Sequence, residues 1–333
     1  MSHTTSIMSD NARSLVGDIG GSTARFAIAR AGPGGVVLDH VLTMPAADYP
    51  ALATAVEHYL AATGVTAPTS AAIAIAGPIV GDRAEITNHS AWSFSIDAVR
   101  RCLGLVRLAV INDFTAVALS LPQLPPAELR QVGGEAPADG ASKAVIGPGT
   151  GLGVSGIART DDRWTAIEGE GGHATFAPMS ARESRIGEVL RQRFGHVSWE
   201  RILSGPGLVN LYDAVAELEG TPAEVLSPET IAAHGRAGDC RLCREALEIF
   251  CAALGTAAGN LALTFGARGG VYVAGGIVPQ LGDFFAASAF RSRFESKGRL
   301  STYVRPIPTY VVTAATPGLV GAAVAALDAG QRP

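Results

Sequence analysis

The alternation of apolar and polar positions predicts two successive α/β domains. In the first part of the chain, short apolar runs bounded by glycine or polar residues predict strands at 15–19, 24–29, 36–44, 70–76 and 107–111. Helical patterns open at Pro50 and after Ser95, a residue type that commonly caps helices. A glycine-bent hairpin followed by alternating helices and strands is typical of an α/β domain.

The second part of the chain begins with a similar hairpin. An apolar run at 144–146 leads into a glycine bend at 147–153 and then into another strand pattern. The two bends begin at Gly17 and Gly147, and this correspondence predicts a diverged internal duplication. Residues 122–140 are rich in Pro, Gly and Ala, so we expect them to form a surface connection between the domains.

Helices are expected to dominate residues 183–265, with N-caps at Ser198, Ser227 and Asp239. Residues 249–265 carry no charge, which raises the possibility of a membrane span. Polar residues and several alanines make this stretch only weakly hydrophobic, so a helix buried inside the protein is favoured.

Two strands at 270–274 and 310–313 and a helix at 318–329 complete the pattern, and the helix is expected to pack back on the first domain. The predicted domains are a small α/β domain at 14–122, completed by a C-terminal helix at 315–330, and a large α/β domain at 123–314.

Composition narrows the functional classes. Of the 333 residues, 47% are hydrophobic and 17% are charged, and 30 acidic residues outnumber 26 basic ones. Without a basic surplus, binding to nucleic acid or to an anionic membrane is not expected. Four cysteines are too few for a disulfide framework, and residues 1–13 lack the apolar core of a secretory signal. We therefore expect a cytoplasmic protein with reduced thiols.

Three glycine-rich turns follow predicted strands, and their backbone N–H groups can approach phosphate oxygens closely. The turns are Gly17-Asp18-Ile19-Gly20-Gly21-Ser22-Thr23, Gly147-Pro148-Gly149-Thr150-Gly151-Leu152-Gly153 and Val273-Ala274-Gly275-Gly276. None is followed by the Gly-Lys-Ser/Thr of a P-loop. A GxGxxG match at 151–156 continues as a strand, which differs from the arrangement that binds dinucleotides.

Two aspartates stand where phosphoryl chemistry would need them. Asp18, in the first turn, can hold Mg²⁺ directly or through its waters, although an aspartate that merely stabilises the turn is an equal alternative. Asp113 follows the strand at 107–111, where a carboxylate can take a proton from an attacking hydroxyl. In isolation, Asp113 is also typical of an N-cap.

A second group of polar residues suits a polyhydroxylated ligand. Glu170 and His173 lie in a glycine-rich loop whose backbone can present their side chains to the hydroxyl groups of a ligand. A solvated acidic turn without a ligand is the alternative. Glu200 is also typical of the first turn of a helix that begins after Ser198. The segment Cys240-Arg241-Leu242-Cys243, with only His234 near it, supplies too few ligands for zinc, and structural thiols are favoured.

The order and spacing of the motifs resemble those of bacterial ATP-dependent glucokinases of the non-ROK type, over nearly the whole chain. The matching segments are Gly17-Asp18-Ile19-Gly20-Gly21, Thr87-Asn88-His89, Ile111-Asn112-Asp113-Phe114, Gly149-Thr150-Gly151, Glu170-Gly171-Gly172-His173, His196-Val197-Ser198, Leu203-Ser204-Gly205-Pro206-Gly207 and Ala274-Gly275-Gly276-Ile277. The resemblance implies an α/β, two-domain, actin-like (ribonuclease-H-like) ATPase fold with internally duplicated domains and a nucleotide and sugar cleft between them. One departure is Ser22-Thr23, where that family usually has Thr-Asn.

The resemblance also implies a reaction, the transfer of the γ-phosphoryl group of Mg-ATP to the 6-hydroxyl of D-glucose at the entry to glycolysis. Asp113 would be the general base. Glucose would contact Asn88, Asn112, Asp113, Glu170, His173 and Glu200. ATP would contact Gly17, Asp18, Ile19, Gly20, Gly21, Ser22, Gly149, Thr150, Gly151, Gly275 and Gly276. Asp18 would hold Mg²⁺ through water, and a homodimer is expected from the family.

Two other functions stay open at this point. A sugar-binding sensor would keep the cleft without consuming ATP, whereas a phosphatase or polyphosphate hydrolase of the same fold would release phosphate without sugar. ROK relatives carry a cysteine-rich zinc motif after the loop that corresponds to 170–173. Residues 174–178 contain no cysteine, so a zinc-dependent variant is not expected.

Overall fold

The computed structural model describes residues 13–86, 92–161 and 163–330, which fall into two compact units. The first unit comprises the described residues of Met1–Leu124 and Ala315–Pro333, and the second comprises those of Pro125–Ala314. Thr87, Asn88 and His89, one of the motifs singled out in the sequence, lie outside the described residues.

The strands of the described residues are β1 (Ser14–Ile19), β2 (Thr23–Gly32), β3 (Gly35–Pro45), β4 (Ser70–Ile75), β5 (Ile79–Val80), β6 (Arg83–Ala84), β7 (Phe94–Ser95), β8 (Arg107–Asn112), β9 (Leu129–Gln131), β10 (Lys143–Pro148), β11 (Leu152–Thr160), β12 (Arg163–Ile167), β13 (Val271–Val273) and β14 (Thr309–Val312). The α-helices are α1 (Leu52–Thr63), α2 (Ile96–Cys102), α3 (Asp113–Ser120), α4 (Ala181–Phe194), α5 (Gly205–Leu218), α6 (Pro228–Ala237), α7 (Arg241–Thr264), α8 (Ile277–Leu281), α9 (Asp283–Ala287), α10 (Phe290–Glu295), α11 (Ser301–Val304) and α12 (Pro317–Gly330). Short 3-10 helices lie at Ala46–Asp48, Pro126–Glu128, Gly171–His173 and Gly298–Leu300.

The main sheet of the first unit has the order β3-β2-β1-β4-β8. Strand β1 is antiparallel to β2 and parallel to β4, and β4 is parallel to β8. The register pairs Ile19 with Ile75 and Ile75 with Asn112. Because parallel strands end at the same edge, the residues that follow β1 and β8 lie along one edge of this sheet.

The side chains of successive β1 residues point to opposite faces of this sheet. Leu15 and Ile19 lie in a core that includes Phe26, Tyr59 and Trp92, beneath α1 and α2. Val16 faces the other way, into an alanine-rich core that α12 completes. Gly321 lets α12 pack closely on α3, because a Cβ at this position would lie 1.7 Å from the Ala116 carbonyl oxygen.

The main sheet of the second unit has the order β12-β11-β10-β13-β14-β9. Its first five strands repeat the first sheet, since β10 is antiparallel to β11 and parallel to β13, which is parallel to β14. The duplication predicted from the glycine bends is thus visible in the topology.

Residues 122–140, expected to form a surface connection, also contain a strand that the sequence pattern did not predict. Within them, β9 pairs antiparallel with β14 at the edge of the second sheet, with Arg130 opposite Val311. The segment Leu129, Arg130 and Gln131 is too short and too polar to carry a strand pattern of its own. It becomes a strand because an edge partner far along the chain supplies its hydrogen bonds.

Two predicted helix caps are also wrong. Ser204, not Ser198, caps α5, and Cys240, not Asp239, caps α7, whereas Ser227 caps α6 as predicted. Several polar residues lie near each helix start, and the tertiary contacts of the turn decide which of them is the cap.

Helix α7 is the described helix that is long and apolar enough to cross a membrane by length and composition. In this structure, 72% of its apolar window is buried, and α7 packs against α5, α6 and α10. It therefore serves as the central core helix of the second unit.

Candidate functional site

The turn between β1 and β2 is closed by a hydrogen bond that the Gly20 N–H donates to the Thr23 carbonyl oxygen, at 2.9 Å. Ser22 is exposed on this turn, and Gly20 and Gly21 are half-buried. Gly17 and Ile19 are placed differently, because Ile19 is fully buried in the core and a Cβ at Gly17 would lie 2.8 Å from the Ile73 side chain. These two residues can offer only backbone groups to a ligand.

Asp18 lies on the face of the sheet that α12 covers. Its carboxylate is 19% exposed and lies 3.5 Å from the Arg25 guanidinium. Burial raises the pKa of Asp18, and the opposing effect of Arg25 is smaller. A Cβ at Gly318 would lie 2.6 Å from the Asp18 carboxyl carbon, so the first turn of α12 rests directly on this carboxylate.

Asn112 and Asp113 mark the junction of β8 and α3. The Asn112 Oδ1 caps α3 by accepting the N–H groups of Phe114 at 2.9 Å and Thr115 at 3.2 Å. Asp113 is therefore the first helical residue and not the cap. Its own Oδ1 accepts the Phe114 N–H at 2.9 Å, which orients a half-buried carboxylate at the end of a strand.

The turn between β10 and β11 is the counterpart of this arrangement in the second unit. Gly149 donates its N–H to the Gly151 carbonyl oxygen at 2.9 Å and accepts the Gly205 N–H at 2.8 Å. The start of α5 is thereby held against the turn. Thr150 is exposed at its tip. The positive end of a helix beside a glycine turn is a favourable place for an anion.

Gly275 brings a third glycine turn to the same place. It has a φ of +83° and follows β13, which runs parallel to β10. A Cβ at Gly275 would lie 2.3 Å from the Pro148 carbonyl oxygen, whereas a Cβ at Gly276 would meet nothing within 4 Å. Only glycine fits the first of these positions, and the second faces open space.

A cavity of about 320 Å³ opens beside these turns. It is lined by Gly149, Thr150, Gly205, Pro206, Leu208, Pro228, Glu229, Ala232, Arg236, Gly276, Ile277, Gln280 and Leu281. The glycine turns named in the sequence form one wall, and α6 and α8 form the others. The contribution of α6 was not predicted from the sequence.

Three residues of α6 point into that cavity at helical spacing. Glu229, Ala232 and Arg236 are three and four positions apart, so they lie on one helix face. The helical spacing of these three residues can be read from the sequence. It does not show that their shared face lines a cavity. Arg236 donates from Nη1 to the Gln280 carbonyl oxygen at 2.8 Å, which joins α6 to α8.

The loop with Glu170 and His173 is held against β11. A Cβ at Gly172 would lie 2.0 Å from the Leu152 carbonyl oxygen, so the two glycines of this loop allow a close approach to the strand. The His173 N–H donates to the Glu170 carbonyl oxygen at 3.0 Å, and both side chains are exposed. The loop thus presents a carboxylate and an imidazole to solvent from a fixed backbone.

Glu200 is joined to the same loop. Its N–H donates to the Gly172 carbonyl oxygen at 2.9 Å, and its Oε2 accepts the Leu152 N–H at 2.8 Å. It lies in a turn before α5 and not in the first turn of a helix. Backbone hydrogen bonds therefore bring Glu170, His173 and Glu200 together beside the β10–β11 turn.

Comparison with known proteins decides which family this arrangement represents. The family model described as glucokinase matches residues 15–329. The chain is 54% identical over 314 residues to a glucokinase of Chromobacterium violaceum, covering 94% of this chain and 89% of that protein. The chain belongs to the glucokinase family. A glucokinase of Aromatoleum aromaticum is 52% identical over 318 residues, covering 95% of both proteins.

A solved glucokinase structure agrees with the family assignment. The glucokinase from an Antarctic psychrotroph superimposes with a TM-score of 0.88 at 35% identity, covering 96% of this chain and 99% of that one. The fold is therefore the two-domain, actin-like α/β fold of sugar kinases, as the motifs imply. Within the described residues, no group of three or more His, Cys, Asp and Glu side chains is placed to hold a metal ion.

Proposed function

We propose that this member of the glucokinase family transfers the γ-phosphoryl group of Mg-ATP to the 6-hydroxyl of D-glucose, giving glucose 6-phosphate and ADP at the entry to glycolysis. The observation that carries the proposal is the match of the family model over residues 15–329, which includes every candidate residue. The geometry of each unit agrees with it. Phosphoryl transfer needs mainly positioned groups and compensated charge.

Asp113 is proposed as the general base. Its Oδ1 is oriented by the Phe114 N–H, and its place at the start of α3 puts it beyond the carboxyl end of β8. A carboxylate fixed in this way takes the proton of the attacking 6-hydroxyl as the new phosphate ester bond forms. The amide group of Asn112 would hold a neighbouring hydroxyl through its nitrogen, because its oxygen already caps α3.

Glu170, His173 and Glu200 are proposed to bind the remaining glucose hydroxyls, together with Asn88, which lies outside the described residues. Carboxylates accept hydroxyl protons, and an imidazole can either donate or accept. Because one Glu200 oxygen already accepts the Leu152 N–H, its carboxylate is preoriented before sugar binds. Preorientation lowers the entropy cost of binding.

The nucleotide is proposed to lie in the cavity of the second unit. Gly149, Thr150 and Gly151 would face the phosphates, Gly275 and Gly276 would lie against the adenosine, and α6 would close the far side. In the first unit, the turn at Gly20, Gly21 and Ser22 would offer further N–H groups to the phosphates. Gly17 and Ile19 contribute through their backbone alone, since both are buried.

The residues around Asp18 fit a magnesium ion. Oxygen ligands are the ones that Mg²⁺ prefers. Among the described residues, the half-buried Asp18 carboxylate pairs with the Arg25 guanidinium at 3.5 Å, a distance that leaves its charge incompletely compensated. Asp18 would hold the ion directly or through its waters. When bound, Mg²⁺ neutralises charge on the phosphate oxygens.

We further propose that the protein is of the non-ROK type, acts in the cytoplasm and forms a homodimer. The motif Glu170-Gly171-Gly172-His173 is followed by residues 174–178 without cysteine, which supports the non-ROK assignment. Light scattering of the purified protein tests the dimer, which would have twice the 34.1 kDa mass of the chain.

The decisive experiment is the formation of glucose 6-phosphate from glucose and Mg-ATP, measured through a coupled dehydrogenase. Parallel reactions contain mannose, fructose, N-acetylglucosamine or no sugar. ADP formed in proportion to glucose supports the proposal. ADP or phosphate released without sugar would identify a hydrolase, and sugar binding without turnover would identify a sensor. Either result overturns the kinase assignment.

A further inference from the structure

Two cysteines meet at the start of α7. Cys240 is the N-cap, and its sulfur accepts the Cys243 N–H at 3.2 Å. Cys240 is half-buried, whereas Cys243 is fully buried. The pair therefore consists of one thiol that solvent reaches and one directly behind it.

A surface cavity gives access to this pair. It has a volume of about 410 Å³, and Cys240 and Cys243 line it together with Tyr212, Leu226, His234 and Asp239. The His234 ring and the Asp239 carboxylate hydrogen-bond to each other at 2.9 Å in its wall. A cavity of this size admits a small organic disulfide up to the sulfur of Cys240.

The backbone geometry suits a bond between the two sulfurs. A disulfide requires Cα atoms about 4.4–6.8 Å apart, and positions three apart in the first turn of a helix meet this requirement. A Cys-x-x-Cys segment at the start of a helix is also the arrangement that dithiol oxidoreductases use. Forming the bond requires rotation of the two side chains, which breaks the hydrogen bond from the Cys243 N–H to the Cys240 sulfur.

We propose that Cys240 and Cys243 form a redox-active dithiol that small organic disulfides oxidise to an intramolecular disulfide, and that this oxidation weakens nucleotide binding. The Cys240 thiolate attacks one sulfur of the small disulfide and expels the other as a thiolate. The Cys243 thiolate then attacks the Cys240 sulfur and expels the second thiolate. Two protein S–H bonds are lost, one S–S bond forms, and the small disulfide is reduced to two thiols.

The burial of the two cysteines sets their order of reaction. Burial and the neighbouring Cys240 sulfur raise the pKa of Cys243 to about 12, so Cys243 stays protonated while Cys240 is reduced. Once Cys240 is part of a mixed disulfide, Cys243 is the thiol three positions along the chain that can attack the Cys240 sulfur and release the small thiol.

The expected effect of oxidation on nucleotide binding, which rests on the proposed function, follows from the contact between α7 and α6. A Cβ at Gly235 of α6 would lie 2.8 Å from the Cys243 carbonyl oxygen, so the two helices touch at the dithiol. The next residue, Arg236, lines the proposed nucleotide cavity on the same helix as Glu229. Oxidation removes the sulfur that caps α7 and thereby disturbs the contact that positions α6.

Peptide mapping tests the chemistry independently of any kinase activity. The reduced full-length protein is incubated with oxidised glutathione, alkylated and digested with trypsin, which cuts after Arg236, Arg241 and Arg244. Because Arg241 lies between the cysteines, residues 237–241 and 242–244 stay joined only through a disulfide. We expect this linked pair in the wild type and in Cys102→Ser, and not in Cys240→Ser. Stable glutathione adducts at Cys240 without linked peptides would overturn the dithiol.

Calorimetry with AMPPNP and Mg²⁺ tests the consequence. We expect the Kd to rise about fivefold on oxidation of the wild type, the factor that corresponds to loss of one helix cap. Cys240→Ser should bind as the reduced protein does before and after the same treatment, because serine is itself a good cap. An unchanged Kd in fully linked protein would overturn the coupling but not the dithiol. Failure of the proposed kinase reaction would leave the peptide result unaffected.

Discussion

Asp113 is the residue on which the proposed reaction depends most directly. In Asp113→Asn, the Phe114 N–H keeps an oxygen acceptor, so the local geometry is preserved while the base is lost. We expect kcat to fall by about 10²-fold or more, with glucose affinity within a few-fold of the wild type. Steady-state kinetics and glucose titration measure the two effects.

The control for this substitution is Asp283→Asn. Asp283 is fully exposed and pairs with Arg130 at the surface of the second unit. It should leave kcat unchanged. Near-normal turnover by Asp113→Asn would refute the assignment of Asp113 as the base.

The buried carboxylate of Asp18 is expected to lower the stability of the ligand-free protein while being required for turnover. Because burial raises its pKa in the folded state, the native protein disfavours the carboxylate that Mg²⁺ needs. We expect Asp18→Asn to lower turnover by about 10²-fold or more, and to raise the melting temperature of the ligand-free protein at neutral pH.

The pH dependence of the melting temperature tests why Asp18→Asn should be more stable than the wild type. The raised pKa contributes stability below the ordinary pKa of an aspartate, and that contribution is lost as the pH rises through the folded value. The difference in melting temperature between Asp18→Asn and the wild type should therefore shrink as the pH falls toward about 4. A difference that is constant with pH would contradict this explanation.

Among the elements, the turn between β13 and α8 holds two adjacent glycines with different surroundings, Gly275 and Gly276. Gly275→Ala should destabilise the protein by about 1–3 kcal/mol, because its φ is +83° and the Pro148 carbonyl oxygen would lie 2.3 Å from the new Cβ. Gly276→Ala is the matched control, since nothing lies within 4 Å of its Cβ. Urea unfolding compares the two, and equal losses would show that the close contact is unimportant.

The elements also differ in how far the sequence predicted them. The hairpins β1–β2 and β10–β11 were predicted because glycine bends between apolar runs are local signals. Strand β9 was not, because its pairing with β14 joins residues about 180 positions apart. The local pattern around Glu200 is also typical of a helix, and its place in the candidate site was expected only from the family resemblance. Its contacts with Gly172 and Leu152 bring it beside the loop with Glu170 and His173.

At the scale of the whole molecule, Lys297 couples the stability of the second unit to pH. Its Nζ donates to the Thr256 carbonyl oxygen and to Asn260 Oδ1, at 3.0 and 2.9 Å. Burial and the nearby Arg293 lower its pKa to about 8. Below that pH, the folded protein holds a disfavoured ammonium.

This effect predicts the sign of a pH dependence. Between about pH 8 and 10.5, the folded state binds fewer protons at Lys297 than the unfolded state does, so stability rises with pH. The free energy of unfolding of the wild type, relative to Lys297→Met, should rise by about 1–2 kcal/mol across this range, after allowance for solvent screening. Urea titrations followed by tryptophan fluorescence measure it, and a falling difference would contradict the lowered pKa.

The α/β class, the repeated hairpin and the motifs that resemble glucokinases follow from the amino-acid sequence alone. These features depend on residues close together in the chain, where glycine content and apolar spacing act directly on the backbone. Three features become visible in the folded chain: Cys240 caps α7, Asn112 rather than Asp113 caps α3, and one face of α6 lines the cavity beside Gly276. These features depend on contacts between segments that are distant in the chain. Local sequence propensity alone does not distinguish the residues involved from their neighbours.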